Sequence, residues 1–269
     1  MGNFVDNYCE MPAVIRRPMW RIWHKMVNRF DKDSTVNFMN YGFAGLNGDE
    51  MIKLEKEDEY NRYCIQLYDH VVNSVELENK KVVEVGSGRG GGADYISRYY
   101  KPKEYTGIDI SSAVIDFCNR FYDVPGLKFV EGRAEKIPVE AETVDAVVNV
   151  ESSRCYSSLD TFFNEAHRIL NPGGHFLFAD VIDKGRLEEI RQKLQNCGFK
   201  IKRETEITKN VAKGLEMDSD RREGMIQNKI PGWLKSIFAK FAATEGTDRF
   251  DSFRNGKFQY WSFVLAKVN

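Results

Sequence analysis

The sequence predicts an α/β fold, a doubly wound and mainly parallel sheet preceded by helices and interrupted by a helical insertion before its last strand. Three observations predict it. Apolar runs of strand length alternate with helical patterns from residue 81 onward, as βαβ units require. The first of these runs ends in the glycine-rich turn EVGSGRGGG, residues 84–92. A polar helical stretch, 206–256, then breaks the alternation and is followed by one more apolar, aromatic run.

Val82, Val83 and Val85 read as a buried parallel strand. Gly86, Gly88, Gly90 and Gly91 let the chain turn at positive φ and approach a ligand closely. A first helix covers 92–100, and YTGIDI supplies a second strand, 105–109, ending in Asp109. Ser111 or Ser112 caps the next helix, which Pro125 and Gly126 end beyond Tyr122. LKFVEGRAEKIP is a third strand and loop, and VDAVVNV, 144–150, a fourth buried strand. LDTFFNEAHRIL is a helix ended by NPGG, and HFLFADV a fifth strand begun by Gly173 and Gly174. Leu187, Ile190 and Leu194 mark a helix stopped by Gly198, and FQYWSFVLA, 258–266, is the buried last strand. Ahead of the core, Trp20, Trp23, Met26, Val27 and Phe30 recur at helical spacing between Pro12, Pro18 and the pair Gly42 and Gly45. The loop FMNYGFAGLNG, 38–48, reads either as a ligand-closing loop, with Tyr41 or Phe43 as a wall and Asn40 as a polar contact, or as an ordinary connector. Residues 51–75 return to helical spacing, with Tyr60, Tyr63, Cys64 and Leu67 on one side.

Two acids give the turn its chemistry. Glu84 stands two residues before the first glycine, at the strand end where open α/β sheets bind ligands. Asp109 follows at about the ~20-residue spacing that suits ribose hydroxyls. S-adenosylmethionine accounts for both, with an ammonium group near one and a ribose near the other. NAD is the rival, because Gly86, Gly88 and Gly91 also satisfy GxGxxG; Glu84 argues against it.

Lys+Arg 39 against Asp+Glu 40 gives a net charge of −1, so no basic field marks a nucleic-acid partner. Five cysteines, at 9, 64, 118, 155 and 197, form no CxxC and are expected as free thiols in a reducing, cytoplasmic setting. No apolar run approaches the ~18 residues of a membrane span, and Asp6 stands where a myristoylation motif wants Ser or Thr. No metal site is read, and the oligomeric state is not fixed by the sequence.

With Glu84 to Gly90, Asp109, GRAEKIP and LNPGG in place, residues 79–269 resemble the class I S-adenosylmethionine-dependent methyltransferases. MNYGF, GRGGG, YTGIDI, PGLKFVEGRAE, NVESSRCY, PGG, FADV and RREGMIQNKIPGWL are most similar to the phthiotriol/phenolphthiotriol dimycocerosates methyltransferases, which methylate a hydroxyl on a long lipid. The resemblance implies a Rossmann-like, seven-stranded sheet with the last strand antiparallel. The layout expected is an N-terminal helical cap with a cofactor-closing loop over 1–78, a cofactor-binding core over 79–205, a lid over 206–256 and a final core strand over 257–269.

It also implies roles. Gly86, Ser87 and Gly88 contact the methionine part of the cofactor, supported by Glu84; Asp109 and Ile110 hold the ribose and flank the adenine. Ala134 and Glu135 lie at the adenine edge, Asn149 and Val150 face the sulfonium and methyl, and Asn40 and Tyr41 close the pocket. Two positions depart from the family: Arg133 follows Gly132 where GDAE is usual, and Arg154 replaces a His suited to act as general base. Glu151 is then the remaining base, or a plain solvated carboxylate. Tyr156 orients an acceptor hydroxyl, and Arg154 either binds an anionic acceptor group or pairs with an acid such as Glu151. His167 and His175 read as structural. The expected activity is O-methylation of a hydroxyl or carboxylate on a small or lipid-like acceptor; carbon or nitrogen methylation and a non-catalytic cofactor-binding module are the alternatives.

Overall fold

Val82 and Val83 are both buried yet join different hydrophobic clusters, because successive strand side chains leave opposite faces of a sheet and both faces here are covered. The structure is a computed structural model that describes residues 26, 27, 30, 31, 34–46 and 51–268. Trp20, Trp23, Pro12, Pro18, Cys9 and the end of the expected 38–48 loop lie outside the described residues.

The seven strands are β1 (Lys81–Val85), β2 (Glu104–Asp109), β3 (Leu127–Glu131), β4 (Val144–Val150), β5 (Leu170–Asp183), β6 (Phe199–Glu206) and β7 (Phe258–Lys267). They form one sheet in the order β3-β2-β1-β4-β5-β7-β6. β1 pairs in parallel with both β2 and β4, so the chain reverses its direction of winding there, while β7 runs antiparallel to both its neighbours. The doubly wound sheet with an antiparallel last strand is therefore as expected.

α1 (Arg62–Val72), α2 (Gly91–Tyr100) and α3 (Ser112–Phe121) cover one face with Leu67, Ile96 and Val114. α4 (Leu159–Ile169) and α5 (Leu187–Asn196) cover the other, where Phe162, Phe163, Phe176, Phe178 and Phe263 interlock edge to face or stacked. Four helices, α6 (Thr208–Met217), α7 (Ser219–Lys229), α8 (Lys235–Ala242) and α9 (Asp248–Arg254), run between β6 and β7.

Two expectations change, and β6 is a strand that KIKRETE does not announce, because it is an edge strand whose charged side chains stay partly or fully exposed. Residues 51–58 are not helical; the charge run ahead of Glu59 stays solvated, α1 starts at Arg62, and Tyr60 is exposed while Cys64 and Leu67 are buried. β5 begins at Leu170, so the NPGG turn lies within the strand's span. Cys64, Cys118, Cys155 and Cys197 are free thiols, and no described helix is long and apolar enough to cross a membrane.

Candidate active site

The turn after β1 needs its glycines. Gly86 sits at φ 81, and a Cβ there would lie 2.3 Å from Ser152 Oγ and 2.7 Å from Tyr156 Oη. Gly90, also left-handed, caps α2, whose first turn is exposed to the same space. Where β1 parts from β4, this turn and the C-terminal ends of β2, β3 and β4 border an open cavity. Gly86, Ser87, Gly88, Asp109, Ile110 and Val150 line it, together with Ala134 and Glu135. Asp109 accepts hydrogen bonds from Gly88 N at 3.1 Å and Ser111 N at 2.9 Å, tying the acid to the turn. Ser87 Oγ is buried and has no hydrogen-bond partner among the described residues.

Glu84 lies beneath this floor and does not line the cavity. Its fully buried carboxyl accepts from Tyr68 Oη at 2.8 Å and Tyr105 Oη at 3.0 Å, and burial pushes it up to about 7. Its hydrogen bonds tie β1 to α1 and β2. Asn149 also stays behind the wall: its Nδ2 donates to Val85 O, Ser152 Oγ and Tyr156 Oη, all within 2.9 Å. Tyr156 lines the glycine-rich cavity with its hydroxyl already committed to Ser152, Asn149 and Val85 O, so it braces the turn and is not placed to orient an acceptor.

A second open cavity adjoins the first. Val36, Phe38, Ile226, Ile230, Phe238 and Phe241 make it mainly apolar, and Arg154, Asp180 and Arg249 bring charge to it. The two cavities share Phe38, Met39, Asn40, Glu151 and Cys155. Glu151 is thus on the dividing wall. It directly follows β4 in a left-handed conformation, φ 51, which turns the residue after an outward-facing position back over the strand ends. Its carboxylate accepts from Tyr41 N at 2.9 Å and Tyr260 Oη at 3.0 Å. Burial, reinforced by the charge of Asp180, pushes it up to about 8 against those hydrogen bonds. Asp180, buried and itself pushed up by desolvation, accepts from Ser153 N and Oγ and so fixes the 3-10 turn Ser153–Cys155.

Arg154, on that turn, lines the second cavity, ion-paired with Asp183 at 3.2 Å and set over the Phe258 ring. Asp183, not Glu151, is the acid it meets. Tyr41 lines the second cavity rather than the glycine-rich one, where Met39 and Phe38 take the closing position. Asn40 reaches both, but its amide is spent on holding the loop to α1 and to itself, donating to Cys64 O and accepting from Gly42 N. Phe43 stacks on His70, away from both cavities. His167 packs on Phe199 and His175 pairs within the sheet, structural positions both.

One cluster escaped the sequence reading. Arg89, inside the glycine-rich turn, is buried over the Phe117 ring, donates to Val36 O and pairs with buried Asp31 at 2.7 Å. Lys229 of α7 reaches the same carboxylate at 2.8 Å.

Residues 83–178 match the family described as methyltransferase domain. A fatty-acid O-methyltransferase of Mycolicibacterium smegmatis is 34% identical to this chain over 92% of it and 89% of the relative. The chain belongs to the S-adenosylmethionine-dependent methyltransferases. A phthiotriol/phenolphthiotriol dimycocerosates methyltransferase of Mycobacterium leprae is 31% identical over 93% of this methyltransferase and 92% of its own length. Among solved structures, the cyclopropane synthase MmaA2 of Mycobacterium tuberculosis superposes with a TM-score of 0.69 at 15% identity, covering 91% of this chain and 98% of its own. A geranyl diphosphate C-methyltransferase of Streptomyces coelicolor, solved with S-adenosylhomocysteine, gives 0.60 at 16% over 89% and 93%. These two likenesses concern the fold.

Proposed function

We propose that this methyltransferase moves a methyl group to an oxygen, hydroxyl or carboxylate, at the head of a lipid-like acceptor. The observation that carries the reading is Glu151: a buried carboxylate on the wall between a glycine-rich cavity and a long apolar one. The names of the fatty-acid and phthiotriol relatives support the same acceptor chemistry.

The glycine-rich cavity fits S-adenosylmethionine on this chain's own features. Gly86 leaves no room for a Cβ, Ser87 Oγ is a buried polar atom awaiting a partner, and Asp109 ends β2 beside the turn. Gly86, Ser87, Gly88 and Asp109 would hold the cofactor, with Ile110, Ala134, Glu135 and Val150 lining the rest of its cavity. Bound there, the cofactor supplies an electrophilic methyl group. Phe38 and Met39 close the cavity against water, which hydrolysis and side reactions would otherwise exploit.

For a hydroxyl acceptor, Glu151 would take the acceptor's hydroxyl proton onto its carboxylate. A group near 8 is well matched to that step at neutral pH. A carboxylate acceptor needs no base, and Arg154, lining the cavity beside a partly exposed Asp183, is the cation that suits it. The protein itself is placed in the cytoplasm.

The test is transfer of labelled methyl from S-adenosylmethionine into lipid, carboxylic acid and amine fractions, with Asp109→Ala as control. Label in the lipid or acid fraction, absent with Asp109→Ala, is expected; mild alkali releases it from an ester and leaves an ether intact. Label confined to amines, or none despite cofactor binding, overturns the proposal.

A further inference from the structure

The helices between β6 and β7 face solvent as well as the apolar cavity. Leu234 and Phe238 are buried against Val27 and Ile226, and Ile230, Phe238 and Phe241 line the cavity. Between these inward positions the chain turns two large apolar side chains outward: Trp233 is 77% exposed and Ile237, four residues on, 40%. An indole standing in water at a lid tip is unusual, since apolar groups placed this way in a soluble chain mark contact surfaces.

Along the chain, the charge of this segment has one sign. Residues 225–244 contain no Asp or Glu; their charged residues are Lys229, Lys235 and Lys240. Lys229 is turned in to Asp31, which leaves Lys235 and Lys240, both half-buried, beside the exposed pair. Acids resume only at Glu245.

We propose that this lid tip docks on an anionic lipid surface, Trp233 and Ile237 entering the headgroup boundary and Lys235 and Lys240 facing the anionic headgroups. The inference rests on the reading of the acceptor as lipid-like. It adds how such an acceptor arrives: the segment seated on the bilayer is the one whose other side forms the cavity wall, so a lipid leaves the membrane next to the chamber that receives it. Trp233, Ile237, Lys235 and Lys240 line neither cavity, so the surface is separable from the reaction.

The experiment is sedimentation of the full chain with vesicles of phosphatidylglycerol and phosphatidylcholine, and with phosphatidylcholine alone, without acceptor. Binding to the anionic vesicles that salt weakens is expected. Trp233→Ala should weaken it about tenfold, and Lys235→Glu with Lys240→Glu more than tenfold, each lost lysine counting for roughly fivefold. Titration with S-adenosylhomocysteine checks that each variant is folded, and turnover of a short, water-soluble acceptor should be unchanged. No binding to anionic vesicles, equal binding to both vesicle types, or full affinity in the Trp233→Ala variant overturns docking. Salt-sensitive binding to an acidic acyl-carrier protein in place of vesicles also overturns it. Because binding is read without turnover, a wrong acceptor class and a wrong docking surface fail separately.

Discussion

Replacing Glu151 by Gln keeps the shape of the shared wall and the acceptor for Tyr41 N and Tyr260 Oη, and removes the group that titrates. With the carboxyl at about 8, roughly a tenth of it is ionised at neutral pH, so turnover of a hydroxyl acceptor should climb about tenfold per pH unit and level off above about 8. A positioned base contributes on the order of 10²–10⁴ in rate, and the Gln variant should lose that much of kcat while its profile turns flat. Stability should move the other way. The folded-state value lies above the ordinary 4.5, so the folded chain holds its proton more tightly and stability drains away as pH rises from 4.5 to about 8. The full loss is roughly 5 kcal/mol. Gln has no such loss, so its Tm should draw ahead of the parent's as pH rises. Initial rates of labelled-methyl transfer at saturating cofactor, with Tm across the same buffers, decide it. A Gln variant within threefold of the parent, or still bending near pH 8, refutes the base; a Tm gap that ignores pH refutes the buried acid.

Gly86→Ala drives a Cβ into Ser152 and Tyr156 at a left-handed φ, and should cost about 1–3 kcal/mol of stability and most of the affinity for S-adenosylhomocysteine. Unaltered affinity by calorimetry would remove the turn from the cofactor site. Asp31→Asn removes the carboxylate that pairs with buried Arg89 and with Lys229, and urea unfolding should report a loss of about 3–5 kcal/mol; a loss below about 1 would show the cluster to be incidental. Arg154→Met should raise KM about 10- to 100-fold for a carboxylate acceptor and leave a neutral hydroxyl acceptor near its parental KM. Equal effects on both acceptors would return Arg154 to a purely structural pairing with Asp183.

What the sequence could reveal divides along physical lines. The glycine turn, Asp109 and the buried strands were legible because each depends on residues adjacent in the chain: valines that must be covered, glycines that must turn. The direction of a side chain at a strand end was not. Asn149 and Glu151 are two apart and would share a face in a continuing strand, but β4 stops at Val150 and Glu151 takes a left-handed turn, so one stays behind the wall and the other reaches both cavities. β6 failed for another reason, since KIKRETE on a sheet edge needs no apolar pattern. The Arg89–Asp31–Lys229 cluster joins residues 58 and 198 positions apart, a separation over which charge alone carries no local signal.

That cluster explains how the two cavities come to share one wall. The loop over 34–46 has little regular structure of its own, yet it is fastened at every side. Gly91 N and the Arg89 side chain hold Asn37 O and Val36 O at the cofactor turn. Tyr41 N holds Glu151, Arg222 of α7 holds Asn40 O at 2.9 Å, and Lys229 holds Asp31. The loop therefore touches the glycine-rich turn, Glu151 and α7 at once, and none of the three can shift far without straining a bond to the others. A reaction that needs little from a protein beyond alignment and exclusion of water is served by this arrangement. If Glu151 is the base, as proposed, then its place on the wall and the seating of α7 depend on the same short loop.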